Sequence, residues 1–203
     1  MKEPRARTAR AASAADTAPA QTSAEYSPSE CPATRSGATP AFASTAAAYD
    51  ALPEAKKQRL QGLKNVHSYV YYRNKNIQAQ KEEQALGDRV VQEHALTPEH
   101  LQQVPDAEAP IVRTHPVTGR KGLFINEAHT SHIVGMPKAE SDALLKEICQ
   151  HIIKPEFQYE HHWQAGDLLM WDNIAAQHKA NFNFRLPLRR LMYRTTVRGS
   201  APF

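Results

Sequence analysis

The most constraining feature of the sequence is an abrupt change of composition near residue 44. Residues 1–48 are about one-third Ala and one-quarter Ser or Thr, and their main large apolar residues are Tyr26 and Phe42. Such a segment cannot bury enough apolar surface to offset the entropy cost of ordering it. We therefore expect residues 1–41 to form a disordered tail, and residues 42–203 to form a single folded domain.

Hydropathy, cysteine content and charge exclude several classes of protein. No run of 18 apolar residues is present, so no transmembrane helix and no membrane partner is predicted. The two cysteines, Cys31 and Cys149, lie far apart in sequence, which favours a reducing compartment and a cytoplasmic location. The Arg- and Ala-rich start of the chain leaves a mitochondrial transit peptide open as the alternative. The net charge of +4 comes from 25 basic residues interleaved with 21 acidic ones, so no nucleic-acid partner is predicted.

The first half of the domain predicts short helices before a polar insertion. Ser44 or Thr45 is expected to cap a helix that runs through Leu52, and Pro53 suits the first turn of a second helix over Glu54–Leu60. The aromatic and β-branched segment 66–72 predicts a strand or extended chain. The Gln- and Glu-rich residues 76–104 predict a helical insertion.

The second half predicts short strands around one amphipathic helix. The segments 111–115 and 120–126 predict a hairpin around a Pro-x-x-Gly turn, and a helix follows Pro137. Five apolar positions of this helix share one face: Leu144, Leu145, Ile148, Cys149 and Ile152. Alternating residues 157–163 and the apolar segments 168–171 and 191–197 predict further strands. The order favours an α+β fold built on a pair of antiparallel sheets.

Two arginines near the end of the chain could bind carboxylates. Arg190 and Arg194 are four residues apart on the last predicted strand, so their side chains share a face about 13 Å apart. Guanidinium groups on an inward face need anions, and a small dicarboxylate could accept bidentate hydrogen bonds from them. The alternative interpretation is a surface strand whose arginines meet solvent.

Several motifs, in a fixed order, resemble the TauD/TfdA family of Fe(II)- and 2-oxoglutarate-dependent dioxygenases. The matching segments are Ala47–Pro53, Val66–Ser68, His115–Asn126, His132–Gly135, Trp163–Asp167, Leu169–Asn173, Gln177–His178 and Arg189–Thr196. The resemblance covers about residues 42–203. It implies a partial double-stranded β-helix (jelly-roll) with flanking helices, in addition to the disordered tail.

The resemblance also implies cofactors and roles for individual residues. In the family, two histidines and one carboxylate hold iron(II) and leave positions for 2-oxoglutarate and oxygen. His178 matches the later histidine ligand, and Arg190 matches the arginine that pairs with the far carboxylate of 2-oxoglutarate. Arg194 matches a second arginine that faces the substrate or the co-substrate. Asp172 matches a residue that shapes the turn, and the implied substrate is a small organic acid.

The sequence departs from the family at the other two iron ligands. The family takes them from a His-x-Asp or His-x-Glu motif, yet none of the ten histidines here is followed two residues later by an acid. Only a degraded counterpart of the family's co-substrate threonine is present, at Thr39. His129 and His132 could replace the missing donors only on a helical turn, and His161 and His162 point to opposite faces of a strand.

Three functions stay open at this point. The first is a dioxygenase that oxidises a small organic acid while 2-oxoglutarate is decarboxylated to succinate. The second is a catalytically inactive fragment or binding remnant of the family, from a truncated or frame-disrupted gene. A basic protein that binds nucleic acid is the third and weakest interpretation. An incomplete sheet would also expose apolar faces, which favours a homo-oligomer.

Overall fold

The computed structural model of the chain describes residues 21–26, 39–85, 104–164, 166–180 and 193–198. Its helices are α1 (Thr45–Asp50), α2 (Glu54–Leu60), α3 (Tyr69–Ala85) and α4 (Lys138–Ile152), and a 3₁₀ turn spans Pro155–Phe157. Its strands are β1 (Gln21–Tyr26), β2 (Pro40–Ser44), β3 (Lys64–His67), β4 (Ala107–Pro110), β5 (Val112–Thr114), β6 (Lys121–Leu123), β7 (Thr130–Ile133), β8 (Gln158–Glu160), β9 (Leu168–Asp172), β10 (Ala176–Ala180) and β11 (Tyr193–Arg198). No helix in these ranges is long and apolar enough to cross a membrane.

The strands form four small antiparallel sheets. One sheet has the order β11–β1–β9, a second β10–β2–β8 and a third β4–β3–β7, while β5 and β6 form a hairpin. Consecutive strands β8, β9 and β10 alternate between the first two sheets. This alternation joins two facing antiparallel sheets, and it confirms the predicted α+β jelly-roll class.

Local sequence signals set the ends of the first two helices. The Ser44 side chain accepts a hydrogen bond from the backbone N–H of Ala47 at 3.2 Å and so caps α1. Pro53 stands at the N-cap of α2, and Gly62 follows the helix with φ +80°. Both predicted helices are therefore present, α2 with the predicted bounds and α1 ending at Asp50 rather than at Leu52.

The core lies between α4 and the sheets and hairpin of the middle of the chain. The α4 face that was predicted to be apolar is buried at four of its five positions, and Cys149 packs against it half-buried. The core's fully buried members include Leu60, Ile111, Leu123, Ile125 and Ile133. Each buried side chain of this size contributes about 1.5–3 kcal/mol of apolar transfer free energy.

Two sequence expectations need correction. Residues 21–26 form β1 between β9 and β11, although they were expected to lie in a disordered tail, because backbone pairing on both sides replaces a hydrophobic core there. The segment 66–72 is extended only to His67, and Tyr69 begins α3, since the Ser68 hydroxyl accepts a hydrogen bond from the N–H of Tyr71. The remainder of the predicted insertion, residues 86–103, lies outside the described residues.

The face of the β9–β1–β11 sheet that points away from Trp171 carries exposed apolar side chains. Leu168 and Met170 are each 69% exposed, and Tyr193 and Val197 are exposed by 60% and 63%. Alternation along β9 and β11 places all four on one face of the sheet.

Candidate cofactor site

His178 lies in the middle of β10, where the two facing sheets approach each other. Its backbone stands opposite Phe42 of β2, and the two rings lie 6.2 Å apart, centroid to centroid. Trp171 comes from β9 in the other sheet and lies 5.0 Å from the His178 ring and 5.2 Å from Phe42. Aromatic side chains from both sheets therefore flank the imidazole, although His178 as a whole stays exposed to solvent.

The surroundings of this imidazole favour its neutral form. Desolvation lowers the pKa of His178 from its ordinary value, and the positive charge of Arg194 lowers it further. A neutral imidazole offers an unprotonated ring nitrogen, which a metal ligand requires.

Arg194 lies on β11 and faces the same side of its sheet as Trp171. Arg194 and Leu169 both stand opposite Glu25 of β1 in the backbone register, so their side chains share a face. Trp171 is two residues beyond Leu169 and therefore also lies on that face. The structure thus brings Arg194 within electrostatic reach of His178. Arg190 lies outside the described residues, and its role stays a prediction.

Asp172 has hydrogen-bond partners for both carboxylate oxygens. Its Oδ1 accepts from the backbone N–H of Ile174 at 2.7 Å, and its Oδ2 lies 2.7 Å from Nε2 of His115. This geometry matches the turn-shaping role implied by the family resemblance. The sequence indicated His115 only as part of the matching segment His115–Asn126, and the structure shows that it is the partner of this carboxylate.

Thr39 is buried immediately before β2. It is 7% exposed, and its hydroxyl donates a hydrogen bond to the Glu160 carboxylate on β8, the strand next to β2. The hydroxyl is therefore directed at a neighbouring strand rather than at solvent.

The other candidate histidines do not form a metal site. His129 stacks on Tyr72 with ring centroids 4.3 Å apart, whereas His132 is exposed on β7 beside Ser131. His161 lies 3.2 Å from a carboxylate oxygen of Asp167. Across the part of the chain that the structure describes, no three His, Cys, Asp or Glu side chains are placed to hold a metal ion.

A buried histidine on β3 was also not assigned a role from the sequence. His67 is 5% exposed and packs against the Phe124 ring at 4.8 Å. Burial lowers its pKa to about 4, and the nearby His129 adds to the effect, while the Phe124 backbone carbonyl opposes it. The sequence signal that could have indicated its burial is its place at the end of a short segment. Asn65 and Val66, which precede it there, are also buried.

Residues 28–196 match the family model described as taurine catabolism dioxygenase TauD, TfdA family. The chain belongs to the TauD/TfdA family. The match begins at residue 28, so the domain boundary predicted at residue 42 lies inside the matched range.

Relatives with curated names agree with this assignment. The chain is 38% identical over 164 residues to an alpha-ketoglutarate-dependent 2,4-dichlorophenoxyacetate dioxygenase from Burkholderia sp. (strain RASC), covering 81% of this chain and 50% of that protein. A dioxygenase with the same name from Cupriavidus pinatubonensis is 37% identical, with 82% and 52% covered. The chain thus spans about half the length of these relatives.

Solved structures show the same fold. The crystal structure of AAD-2 in complex with Mn(II) and N-oxalylglycine superposes with a TM-score of 0.73 at 32% identity, covering 94% of this chain and 68% of that chain. A taurine dioxygenase from Burkholderia xenovorans gives a TM-score of 0.71 at 29% identity, covering 93% and 55%. These likenesses confirm the jelly-roll interpretation.

Proposed function

We propose that this chain carries one part of the cofactor site of an Fe(II)- and 2-oxoglutarate-dependent dioxygenase that oxidises a small organic acid. The reaction class is oxidation of the acid coupled to decarboxylation of 2-oxoglutarate to succinate. The observation that carries the proposal is the imidazole of His178, which contacts the Trp171 ring at 5.0 Å and lies within electrostatic reach of the positive charge of Arg194. Family membership and the relatives' names support it.

The described residues fit only one position of an iron site. His178 supplies a single imidazole donor, whereas a facial iron site needs two histidines and one carboxylate. These residues therefore do not hold iron by themselves, and no reaction step through the metal is derived. The proposal assigns His178 as one ligand and assigns no residue to the other two positions.

Arginine side chains are proposed to hold the organic acids. Arg194 faces the same side of the sheet as Trp171, and Arg190 precedes it by four residues. Each charge-assisted hydrogen bond to a carboxylate contributes about 1.5–3 kcal/mol. We assign Arg190 to the far carboxylate of 2-oxoglutarate, and Arg194 to the same co-substrate or to the substrate's acidic group.

A turnover assay on the full chain tests the activity. Succinate release from 2-oxoglutarate is measured with Fe(II), ascorbate and 2,4-dichlorophenoxyacetate or taurine. We expect release that His178→Ala abolishes and that the matched control His162→Ala, an exposed neighbour of β8, leaves unchanged. Zero release by the unaltered chain would refute the proposed activity.

The absence of a His-x-Asp or His-x-Glu motif in the sequence supports a second candidate, a catalytically inactive binding remnant. Calorimetry separates the two candidates. Heat from N-oxalylglycine binding that Arg194→Gln removes, without any succinate release, would establish the remnant. The control is Arg59→Gln, which alters an exposed arginine of α2 that pairs with Glu140.

Two further predictions concern the state of the protein in the cell. The exposed apolar face of β9 and β11 supports a homo-oligomer that covers Leu168 and Met170. Sedimentation of the wild type against Met170→Lys measures it, and a monomer in both cases would contradict it. A cytoplasmic location stays a prediction from the sequence.

A further inference from the structure

The turn that connects β9 to β10 is fastened by one carboxylate. Asp172, the last residue of β9, accepts the backbone N–H of Ile174 on one oxygen and contacts Nε2 of His115 with the other. Trp171 lies directly before this aspartate, and His178 lies six residues after it in β10. The position of the turn therefore sets how the indole and the imidazole meet.

The hydrogen bonds of His115 fix which ring nitrogen carries the proton. Its Nδ1 accepts the backbone N–H groups of Val117 and Thr118, both at 3.1 Å. An accepting Nδ1 has no proton, so Nε2 carries it and donates to Asp172. Both ring nitrogens are occupied, and the ring orientation is fixed.

His115 is itself held by the β5–β6 hairpin. Its backbone N–H donates to the carbonyl of Arg120 at 2.8 Å, and its carbonyl accepts the N–H of Gly119 at 2.9 Å. Gly119 has φ +69°, a left-handed conformation that glycine adopts without strain. The hairpin thus presents the imidazole from a defined backbone position.

A cavity of about 120 Å³ separates this hairpin from the β9–β10 turn. Its lining includes Thr118 and Gly122 from the hairpin, and Ile174 and Ala175 from the turn. Packing between the hairpin and the turn is interrupted at this cavity, and His115, which also lines it, joins the two through its contact with Asp172.

We propose that His115 is a positioning residue, which acts through Asp172 to fix the β9–β10 turn and thereby the place of His178. The proposal rests on the function proposed for His178. Two other links reach the same region: the N–H of Thr45 donates to the carbonyl of Ala175 at 3.0 Å, and the Gln177 side chain donates to the carbonyl of Ile125. Loss of His115 should therefore loosen the turn without unfolding the chain.

Substitutions can separate the hydrogen bond from the bulk of the ring. His115→Leu removes the donor, whereas His115→Gln keeps an N–H that can reach the carboxylate. Asp172→Asn replaces one of the two acceptor oxygens by an N–H₂ group, so that a donor faces either the protonated Nε2 of His115 or the N–H of Ile174. In the first orientation, moving the ring proton to Nδ1 would break the bonds from Val117 and Thr118, and in the second the Ile174 N–H loses its acceptor.

Hydrogen exchange of the full chain, followed by NMR, tests the proposal. The reporters are the amide of Ile174 and the indole N–H of Trp171, which donates to Oδ1 of Asn173 at 2.9 Å. We expect His115→Leu and Asp172→Asn to accelerate exchange at both reporters by about tenfold or more, and His115→Gln to restore protection. The Ile133 amide, which donates to the Ser141 hydroxyl at 2.8 Å, should stay unchanged as the folding control.

Three results would overturn the positioning role. They are unchanged exchange at both reporters in His115→Leu, a Gln variant no better than the Leu variant, and loss of Ile133 protection in all variants. Loss of Ile133 protection would show that the contact between His115 and Asp172 stabilises the whole fold rather than the turn.

A metal titration separates this proposal from the one on which it rests. Mn(II) alone is added to the labelled chain, and paramagnetic broadening of the His178 signals is followed. We expect His115→Leu to need more Mn(II) than the wild type, because a loosened turn no longer holds the His178 ring in one place. If Mn(II) does not broaden His178 in the wild type, the metal role of His178 fails, and hydrogen exchange still decides the role of His115. If the same amount of Mn(II) broadens the His178 signals in the wild type and in His115→Leu, the positioning proposal fails.

Discussion

The rings of Trp171 and His178 lie 5.0 Å apart and are inclined by 54°, although their strands belong to different sheets. The turn after β9 carries the chain from one sheet to the other, and the contact between the two rings lies where the chain crosses. Phe42 of β2 lies beside both rings. The environment of the proposed ligand is thus built by the crossover itself.

Replacing Arg194 by Gln should raise the pKa of His178. Burial is the main cause of its lowered pKa and is unaffected, whereas the smaller contribution from the guanidinium charge is removed. An NMR titration of the His178 ring measures the change. Arg59→Gln serves as the control, and an unchanged or lower pKa in Arg194→Gln would contradict the assigned proximity.

The buried His67 should make folding stability fall as the pH is lowered. Its pKa is about 4 in the folded protein, against about 6.5 for an unfolded histidine, so only the unfolded chain takes up this proton between those values. The stability contribution is complete above pH 6.5 and is lost as the pH falls toward 4. It amounts to about 3 kcal/mol, and urea unfolding across this range measures it.

A substitution assigns this loss to His67. His67→Leu should flatten the dependence of the unfolding free energy on pH between 6.5 and 4. His132→Gln, which alters an exposed histidine of β7, should leave it in place. Some dependence will persist in His67→Leu, because burial also lowers the pKa of His129 and of His178. If the unfolding free energy of His67→Leu depends on pH as steeply as that of the wild type, other groups cause the loss of stability.

The sequence predicted those parts of the fold that have local causes. The bounds of α2 follow from Pro53 and Gly62, and the buried face of α4 follows from its periodicity. It failed at β1, because residues 21–26 acquire order from strands that lie more than 140 positions later, and no local pattern records such pairing.

The candidate site was predictable to a similar extent. His178 and Arg194 were chosen by family resemblance, and the structure places them within electrostatic reach of each other. The pairing of His115 with Asp172 joins residues 57 positions apart and depends on the tautomer of one ring. Neither residue carries a local signal for the other, so this contact could be found only in three dimensions.

Truncating a side chain on the buried face of α4 should lower stability much more than truncating an exposed side chain just beyond the helix. Ile148 is 2% exposed within the core, and Ile148→Ala should lower the free energy of unfolding by about 2–5 kcal/mol through lost transfer energy and a residual cavity. Ile153, just beyond the helix, is 57% exposed. Ile153→Ala should therefore cost less than about 0.5 kcal/mol. Equal losses in urea unfolding would mean that α4 does not pack as described.

The thiol of Cys149 should react slowly in the folded protein. Burial raises its pKa to about 11, with a smaller contribution from Glu127 that Lys75 partly opposes, so almost no thiolate exists at pH 8. In a Cys31→Ser background, labelling by a thiol reagent at pH 8 should be slow in buffer and fast in 6 M urea, where the thiol regains an ordinary pKa of about 8.5. Ile148→Ala should accelerate labelling, because it destabilises the helix face against which the thiol packs. Fast labelling of the native chain in buffer would show that the helix face around Cys149 opens readily.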